Sequence, residues 1–167
     1  MLITMPSEPS PHPFSIAAPT KLDLNAIDAC FALDQLVFSG FWSANQWHQE
    51  LQSKSNLCFG YWCVEKPNQL IGLICGCVVA EELQISMVAV DPNKQQQGLG
   101  RSLLQALLAC AKSMGCQEAS LEVSAKNKAA IALYEQAGFT TCGIRKSYYR
   151  NGDNALIKVK RFCEVLT

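Results

Sequence analysis

A short glutamine- and glycine-containing turn at residues 95–101, Gln-Gln-Gln-Gly-Leu-Gly-Arg, has the composition of a phosphate-binding site. It follows a β-type run that ends at Val90 and precedes a segment with helical spacing of apolar residues. The first turn of a helix has unpaired backbone N–H groups and the positive end of the helix dipole, so phosphate oxygens are stabilised there. Gly98 and Gly100 would let a ligand approach the backbone. The turn predicts a phosphate-bearing ligand, and its alternative is a glycine-containing turn before an ordinary helix.

The spacing of this turn excludes two common nucleotide sites. A dinucleotide-binding fingerprint has a third glycine three residues after the second, where this chain has Leu103. A Walker phosphate loop has lysine after its last glycine, whereas Gly100 is followed by Arg-Ser. The remaining pattern of Gln95, Gly98 and Gly100 resembles the coenzyme A signature of the GNAT acetyltransferases.

A second segment, residues 120–139, carries a much more distinctive resemblance. It contains a Leu-Glu-Val strand pattern, Asn127 at a helix start, then Ala-Ile-Ala-Leu-Tyr and Ala-Gly-Phe. This segment closely resembles the bacterial ribosomal-protein-alanine N-acetyltransferases, the RimI type of the GNAT superfamily. The similarity is dense from about Val88 to Tyr149 and weak before residue 80. The resemblance implies an α/β GNAT fold, with a mixed, mostly antiparallel sheet that splays centrally and helices on both faces.

Transfer of an acetyl group from a thioester to an amine needs a proton acceptor. A peptide α-amino group has a pKa of about 7.7 to 8.0, so much of it is protonated near neutrality and a carboxylate base helps to form the nucleophile. Glu122 matches the general base of the family and is predicted to be catalytic. The alternative is a solvated glutamate, because Ser120, Glu122 and Ser124 alternate as on an exposed strand face.

The departing coenzyme A thiolate in turn needs a proton donor. Tyr134 matches the donor of the family, lies twelve residues after Glu122, and falls two helical turns after Asn127. The alternative for Tyr134 is a core aromatic beside Leu133.

The resemblance also implies how acetyl-CoA, the expected co-substrate, is held. Backbone N–H groups of the strand around Ala89 would polarise the thioester carbonyl, Asn127 would bond the pantetheine arm, and the backbone from Gln96 to Arg101 would hold the pyrophosphate. Asn127 could equally be a helix cap, and Arg101 could be a solvated helix residue. The predicted cofactor-binding residues are Val88, Ala89, Val90, Gln95, Gln96, Gln97, Gly98, Leu99, Gly100, Arg101 and Asn127.

Three aromatic residues are predicted to bind the acceptor substrate. Trp42 lies in Phe-Trp-Ser, which partly resembles Phe-Pro-Trp-Ser of the family, and Tyr148 with Tyr149 resembles the paired tyrosines that shape the peptide site. Cross-strand aromatic packing is the alternative for at least one tyrosine. The turn that follows, which includes Asp153, departs from the family pattern.

Composition limits the classes of partner. The chain has 167 residues, 49% of them hydrophobic, which suits one globular domain with a sizeable core. Fourteen basic and fourteen acidic residues give zero formal net charge, so nucleic acid and anionic membranes are not expected partners.

The absence of a signal peptide and of a long apolar run predicts a cytoplasmic protein. The nine cysteines are expected to be reduced and mostly buried; Cys75 and Cys77 are expected to be small core residues rather than metal ligands, and no metal is predicted.

The predicted elements alternate in a mixed α/β order that can position these residues. Residues 1–13 are expected to be a flexible proline-rich leader and residues 14–167 a single GNAT domain. Ser43 and Asn127 are predicted helix caps, and Gly115 and Gly138 predicted helix ends. The predicted strands are residues 14–18, 57–64, 70–80, 83–90, 119–123, 139–144 and 155–159, with helices at about 22–38, 43–51, 103–114 and 127–137.

The prediction is an acetyl-CoA-dependent protein N-acetyltransferase in which the amine attacks the thioester directly. Its expected acceptor is the N-terminal alanine of a small-subunit ribosomal protein, as the resemblance implies. One alternative keeps the reaction and changes the acceptor to another protein N-terminus, a lysine or a small amine. The other is a non-catalytic coenzyme A-binding module, against which the presence of both Glu122 and Tyr134 argues.

Overall fold

A computed structural model describes residues 18–163 as one seven-stranded sheet with four α-helices. The strands are β1 (Thr20–Lys21), β2 (Asn56–Trp62), β3 (Leu70–Val79), β4 (Glu82–Val90), β5 (Glu118–Ser124), β6 (Thr140–Arg145) and β7 (Ala155–Arg161). The helices are α1 (Ile27–Phe38), α2 (Ala44–Gln52), α3 (Leu99–Ser113) and α4 (Lys128–Gln136), with 3₁₀ turns at Leu24–Ala26 and Pro92–Lys94.

The sheet is mixed and mostly antiparallel, with strand order β1-β2-β3-β4-β5-β7-β6. Its one parallel pair, β4 with β5, is in register only from Glu82 opposite Glu118 to Ile85 opposite Leu121. The register with β3 shifts at this point, because Cys75 faces Met87 while Gly76 faces Ile85, so Ser86 is the extra residue of a β-bulge. Beyond the bulge β4 and β5 separate, which confirms the predicted central splay.

Helices cover both faces of the sheet and enclose two apolar cores. Leucines of α3 pack with β-strand residues and with Tyr134 and Phe139 on one face. The other face packs against α1 and α2, with the fully buried Trp47 and Cys30 among its members. A helix with one apolar stripe is stabilised when that stripe is buried against a sheet. The leucine spacing of α3 therefore predicts correctly which face of this helix packs on the sheet.

The predicted element order is confirmed over the described residues, and the predicted caps hold in detail. The hydroxyl of Ser43 accepts a hydrogen bond from the backbone N–H of Gln46, and the backbone N–H of Ser43 donates one to Oε1 of Gln46, forming a capping box. The predicted leader lies outside the described residues, as does most of the predicted first strand. Ala18 is described and is not in a strand; the first described strand is Thr20–Lys21.

Within residues 18–163, no helix combines the length and the hydropathy that a membrane span requires.

Candidate active site

A cavity of about 280 Å³ opens where β4 and β5 separate. In this region the two strands no longer form hydrogen bonds with each other. The first two turns of α4 close one side of the cavity. Side chains from six parts of the chain converge on this space. Its lining residues are Phe38, Phe41, Ile85, Ser86, Met87, Val88, Leu121, Glu122, Val123, Ser124, Asn127, Ala130, Leu133, Tyr134 and Tyr149.

Glu122 lies on β5 just past the end of the parallel ladder, and its side chain is 28% exposed at the cavity. Its Oε1 forms an ion pair with Nε of Arg145 on β6 at 2.7 Å. The Glu122 carboxylate, as hydrogen-bond acceptor and negative charge, raises the pKa of Tyr148. A partly exposed carboxylate of this kind can accept a proton from an amine held in the cavity.

Tyr134 projects from α4 into the same cavity and is only 7% exposed. Its ring packs edge-on against Phe139, with the ring centroids 5.9 Å apart. Desolvation by burial, followed by the nearby Tyr149, raises the pKa of Tyr134 to about 12. The phenol therefore stays protonated across the physiological range, which is the state that a proton donor needs. The packing and the catalytic interpretations are thus compatible for this residue.

Asn127 lies at the N-terminus of α4 and also lines the cavity. Its Oδ1 accepts a hydrogen bond from the backbone N–H of Ala130 at 3.1 Å. The cap uses the side-chain oxygen, and the Nδ2 amide is a separate donor that can bond a carbonyl in the cavity. The two interpretations of Asn127 from the sequence, helix cap and ligand contact, are therefore physically compatible.

The β4 residues predicted to polarise a thioester carbonyl are placed differently from one another. Val88 lines the cavity, whereas Ala89 is 1% exposed and belongs to the opposite core. Val90 is half-buried and packs against the α3 side. Ser86 and Met87, which the sequence prediction omitted, line the cavity beside Val88. The bulge explains this difference, because it shifts the alternation of the strand by one residue.

The predicted phosphate-binding turn leads directly into α3, as the sequence indicated. Gly98 is the N-cap and has φ +82°, in the left-handed region that favours glycine, and Gln96 has φ +61°. A methyl group built on Gly100 would lie 3.5 Å from the Leu133 side chain, an ordinary contact. The folded chain therefore requires glycine conformationally at position 98 but tolerates a larger residue sterically at position 100.

Arg101 is in the first turn of α3 and is exposed. Its side chain lines a separate cavity of about 340 Å³ between α3 and α4, together with Gln136 and Lys160. Two cationic side chains at this cavity are compatible with an anionic ligand group, and they are compatible with solvated surface cations as well.

The acceptor side of the site differs from the sequence prediction. Phe38 and Phe41, from the end of α1 and the turn after it, line the cavity, whereas Trp42 packs edge-on against Trp47 at 4.8 Å between ring centroids. The structure does not bring Trp42 to the cavity. The sequence offered one signal for Phe41, its position beside Trp42 in the family-like motif.

Of the paired tyrosines, Tyr149 lines the cavity and Tyr148 does not. The two rings pack edge-on at 5.2 Å, and Tyr148 lies under the guanidinium of Arg145 at 5.7 Å. Asp153 holds this loop, because its backbone carbonyl accepts the N–H groups of both tyrosines at 3.0 and 3.1 Å. The ion pair of its carboxylate with Lys126, at 2.6 Å, lowers the pKa of Asp153.

The cysteines are free thiols among the described residues, and five of the nine are buried. The thiol of Cys75 lies within 4.8 Å of the Cys58 thiol and of a carboxylate oxygen of Glu50. Burial raises the pKa of Cys75 well above its ordinary value and also raises that of Glu50. Cys75 is therefore buried in the core, as expected, whereas Cys77 is only partly buried and belongs to neither core.

Comparison with known proteins agrees with this fold. The acetyltransferase (GNAT) family matches residues 27–139. A Mycobacterium tuberculosis protein, N-alpha-acetyltransferase RimI, is 33% identical over 145 residues, which cover 83% of this chain and 86% of that protein. The Escherichia coli ribosomal protein bS18-alanine N-acetyltransferase is 47% identical over 76 residues, 46% of this chain and 51% of that protein.

The crystal structure of the ribosomal-protein-S18-alanine N-acetyltransferase from Escherichia coli superimposes with a TM-score of 0.78. It is 31% identical, and the match covers 90% of this chain and 98% of the other. The family match, the extended sequence similarity and the splayed sheet lead to one assignment: the chain belongs to the GNAT acetyltransferase family and is an N-acetyltransferase.

Proposed function

We propose that this enzyme transfers the acetyl group of acetyl-CoA to the N-terminal alanine of a small-subunit ribosomal protein, a reaction of the cytoplasm. The observation that carries the proposal is the convergence of Glu122 and Tyr134 on one cavity at the splay of β4 and β5. A proton acceptor and a proton donor on one small cavity are what direct acyl transfer to an amine needs.

The proposed proton transfers balance over one turnover. Glu122 accepts a proton from the acceptor ammonium, directly or through water, so that the nitrogen lone pair can attack the thioester carbonyl carbon. The new C–N bond forms, the C–S bond breaks, and Tyr134 donates its phenolic proton to the departing sulfur. The amine nitrogen loses its second proton to water as the amide forms, Glu122 releases the proton it accepted to solvent, and Tyr134 regains one from solvent, so one proton is released overall. Backbone N–H groups near Val88 would stabilise the negative oxygen between these steps.

The turn at residues 95–101 and Asn127 would hold acetyl-CoA, which supplies the activated acetyl group. Gly98 is the left-handed N-cap of α3, so the unpaired backbone N–H groups of the first turn follow it, and Gly100 presents no side chain of its own to a ligand. A fifteen-residue helix starting there presents the positive end of its dipole to phosphate oxygens. The residues present therefore fit a pyrophosphate-bearing ligand.

The choice of acceptor rests on the relatives. The Escherichia coli relatives carry the acceptor in their names, as alanine N-acetyltransferases of ribosomal protein bS18 or S18, and the match to the crystal structure of one of them covers 90% of this chain. The alternative acceptors, another protein N-terminus, a lysine or a small amine, would use the same chemistry at Glu122 and Tyr134.

Acceptor profiling tests the proposal. The enzyme is incubated with acetyl-CoA and a set of peptides that differ in the first residue, with lysine-containing N-blocked peptides and polyamines as competitors. We expect transfer to the α-amine of alanine-initiated peptides. Alanine peptides that remain unmodified while a polyamine or a lysine reacts would overturn the acceptor assignment and leave the reaction intact. Mass spectrometry of protein N-termini from cells with and without the enzyme then identifies the protein.

A further inference from the structure

The turn between α1 and α2 is held by one fully buried carboxylate, that of Asp34. Its Oδ1 accepts the backbone N–H of Phe41 at 2.7 Å, and its Oδ2 accepts the backbone N–H of Trp42 at 2.8 Å. The same Oδ2 accepts the indole N–H of Trp47 on α2 at 2.9 Å. Asp34 is 0% exposed, so its charge is compensated within the protein by these three donors.

These hydrogen bonds are not needed to end α1. Ser39, with φ +58°, already closes the helix by donating its backbone N–H to the carbonyls of Asp34 and Gln35. The carboxylate acts on the residues that follow, because it binds two successive N–H groups of the turn. Gly40, with φ +86°, provides the left-handed conformation that this turn needs. The constraint on the path of this turn therefore comes from the hydrogen bonds to Asp34.

This path carries the aromatic wall of the active-site cavity. Phe38 and Phe41 line the cavity that contains Glu122 and Tyr134, and their ring centroids are 6.3 Å apart. Phe38 is 44% exposed and Phe41 is 61% exposed, so both rings are available to a ligand. Rigid, exposed aromatic rings beside a reaction site favour contact with an apolar side chain.

We propose that Asp34 is a positioning residue for the acceptor: by fixing the α1–α2 turn, it sets Phe41 against an apolar side chain near the reacting amine. The inference rests on the proposed function, since it assumes a peptide acceptor in this cavity. Asp34 does not line the cavity, and its helix α1 packs on the face of the sheet opposite α3. We therefore expect its substitution to act on acceptor binding rather than on the turn at residues 95–101.

Steady-state kinetics of Asp34→Asn with an alanine-initiated peptide test the inference. Asparagine keeps the size of the side chain but replaces one acceptor oxygen with an NH₂ donor, so one N–H group of the turn loses its partner. We expect the KM for the peptide to rise about tenfold, with kcat and acetyl-CoA affinity close to wild type. Asp28→Asn is the matched control, because it removes the same charge from an exposed position on the same helix.

A double-mutant cycle with Phe41→Ala separates positioning from general destabilisation. Phe41→Ala alone should also raise the peptide KM, without lowering the melting temperature, because the ring is largely exposed. If Asp34 acts through Phe41, adding Asp34→Asn to Phe41→Ala should raise the KM little further. Independent, additive effects would overturn the inference.

Other outcomes are also decisive. A wild-type peptide KM in Asp34→Asn overturns the inference, as does an equal loss of acetyl-CoA affinity. Should Asp34→Asn fail to fold, an unchanged KM in Phe41→Ala overturns it, and a raised KM with unaltered acetyl-CoA affinity supports it. A wild-type enzyme that acetylates no peptide overturns the proposed function itself, and the inference with it.

Discussion

Glu122 and Arg145 form an ion pair across the cavity edge, with Nε and Oε1 2.7 Å apart, that joins β5 to β6 without any hydrogen-bonded pairing between these two strands. β7 lies between them in the sheet, so the two side chains meet over its end. The contact holds the proposed base at the position where β4 and β5 have separated. It also means that a substitution of Glu122 removes two things, a carboxylate and an ion pair.

Glu122→Gln should lower kcat by about a hundredfold or more, because an amide cannot accept the proton of the acceptor amine. Acetyl-CoA affinity should stay near wild type. Pre-steady-state and steady-state acetylation assays, with acetyl-CoA binding by calorimetry, measure both quantities.

Arg145→Gln is the control that separates the two losses. It breaks the ion pair and leaves the carboxylate, and the pair is partly exposed, so stability should change little. If Arg145→Gln lowers kcat as much as Glu122→Gln does, the loss comes from breaking the ion pair, and Glu122 is not the general base.

Tyr134→Phe should reduce kcat by about a hundredfold while leaving the fold unchanged. The ring contact with Phe139 is kept and only the hydroxyl is lost. Protonation of the departing thiolate would then depend on water. An acetyl thioester whose thiol is more acidic should therefore show a smaller reduction of kcat in the variant. Wild-type turnover in Tyr134→Phe would exclude this residue as the proton donor.

The pH dependence of Tyr134 has a definite sign. Its pKa is raised from about 10 to about 12, so the neutral phenol is retained to higher pH than in the unfolded chain. Its contribution to folding stability is fully present below pH 10 and is lost as pH rises to about 12. In an ultraviolet titration, Tyr134→Phe should show one tyrosine fewer than the wild type ionising near pH 12. A difference that appears at pH 10 would contradict the burial of the hydroxyl.

Gly98→Val should weaken acetyl-CoA binding at least about tenfold. Valine at φ +82° is strained, and its side chain would stand over the backbone that approaches the pyrophosphate. Gly115→Val is the matched control, since Gly115 has φ +90° at the other end of the same helix with nothing within 4 Å of an added methyl group. Both variants should lose similar stability, and only Gly98→Val should lose affinity in a binding titration. Equal affinities in the two variants would count against the turn as a phosphate site.

Asp153→Asn should destabilise the loop that carries Tyr149, and the effect should depend on pH. The pKa of Asp153 is lowered below its ordinary value of 3.8, chiefly by its hydrogen bond to Lys126. Its stabilisation is therefore present above about pH 4 and is lost as pH falls through the lowered pKa. Melting temperatures of the two proteins should differ at pH 7 and converge as pH falls through the lowered pKa of Asp153. A difference that persists at low pH would assign the effect to the other hydrogen bonds of the loop.

The sequence by itself determined the local elements and the chemistry they carry. Alternation and leucine spacing are local properties of the chain, so strands, helices and caps such as Ser43 and Asn127 follow from short-range interactions. The family-like segment likewise placed Glu122 and Tyr134 on one unit, and the structure brings both to one cavity.

Only the tertiary structure decided which neighbours complete the site. The bulge at Ser86, which changes the residues of β4 that face the cavity, depends on pairing with β3 and leaves no pattern in a single strand. Phe41, rather than Trp42, lines the cavity. This placement depends on hydrogen bonds from the turn to the buried carboxylate of Asp34, seven and eight residues earlier in the chain. The Glu122–Arg145 pair joins residues far apart in the chain. Such contacts arise from packing and long-range pairing, which residue periodicity does not encode.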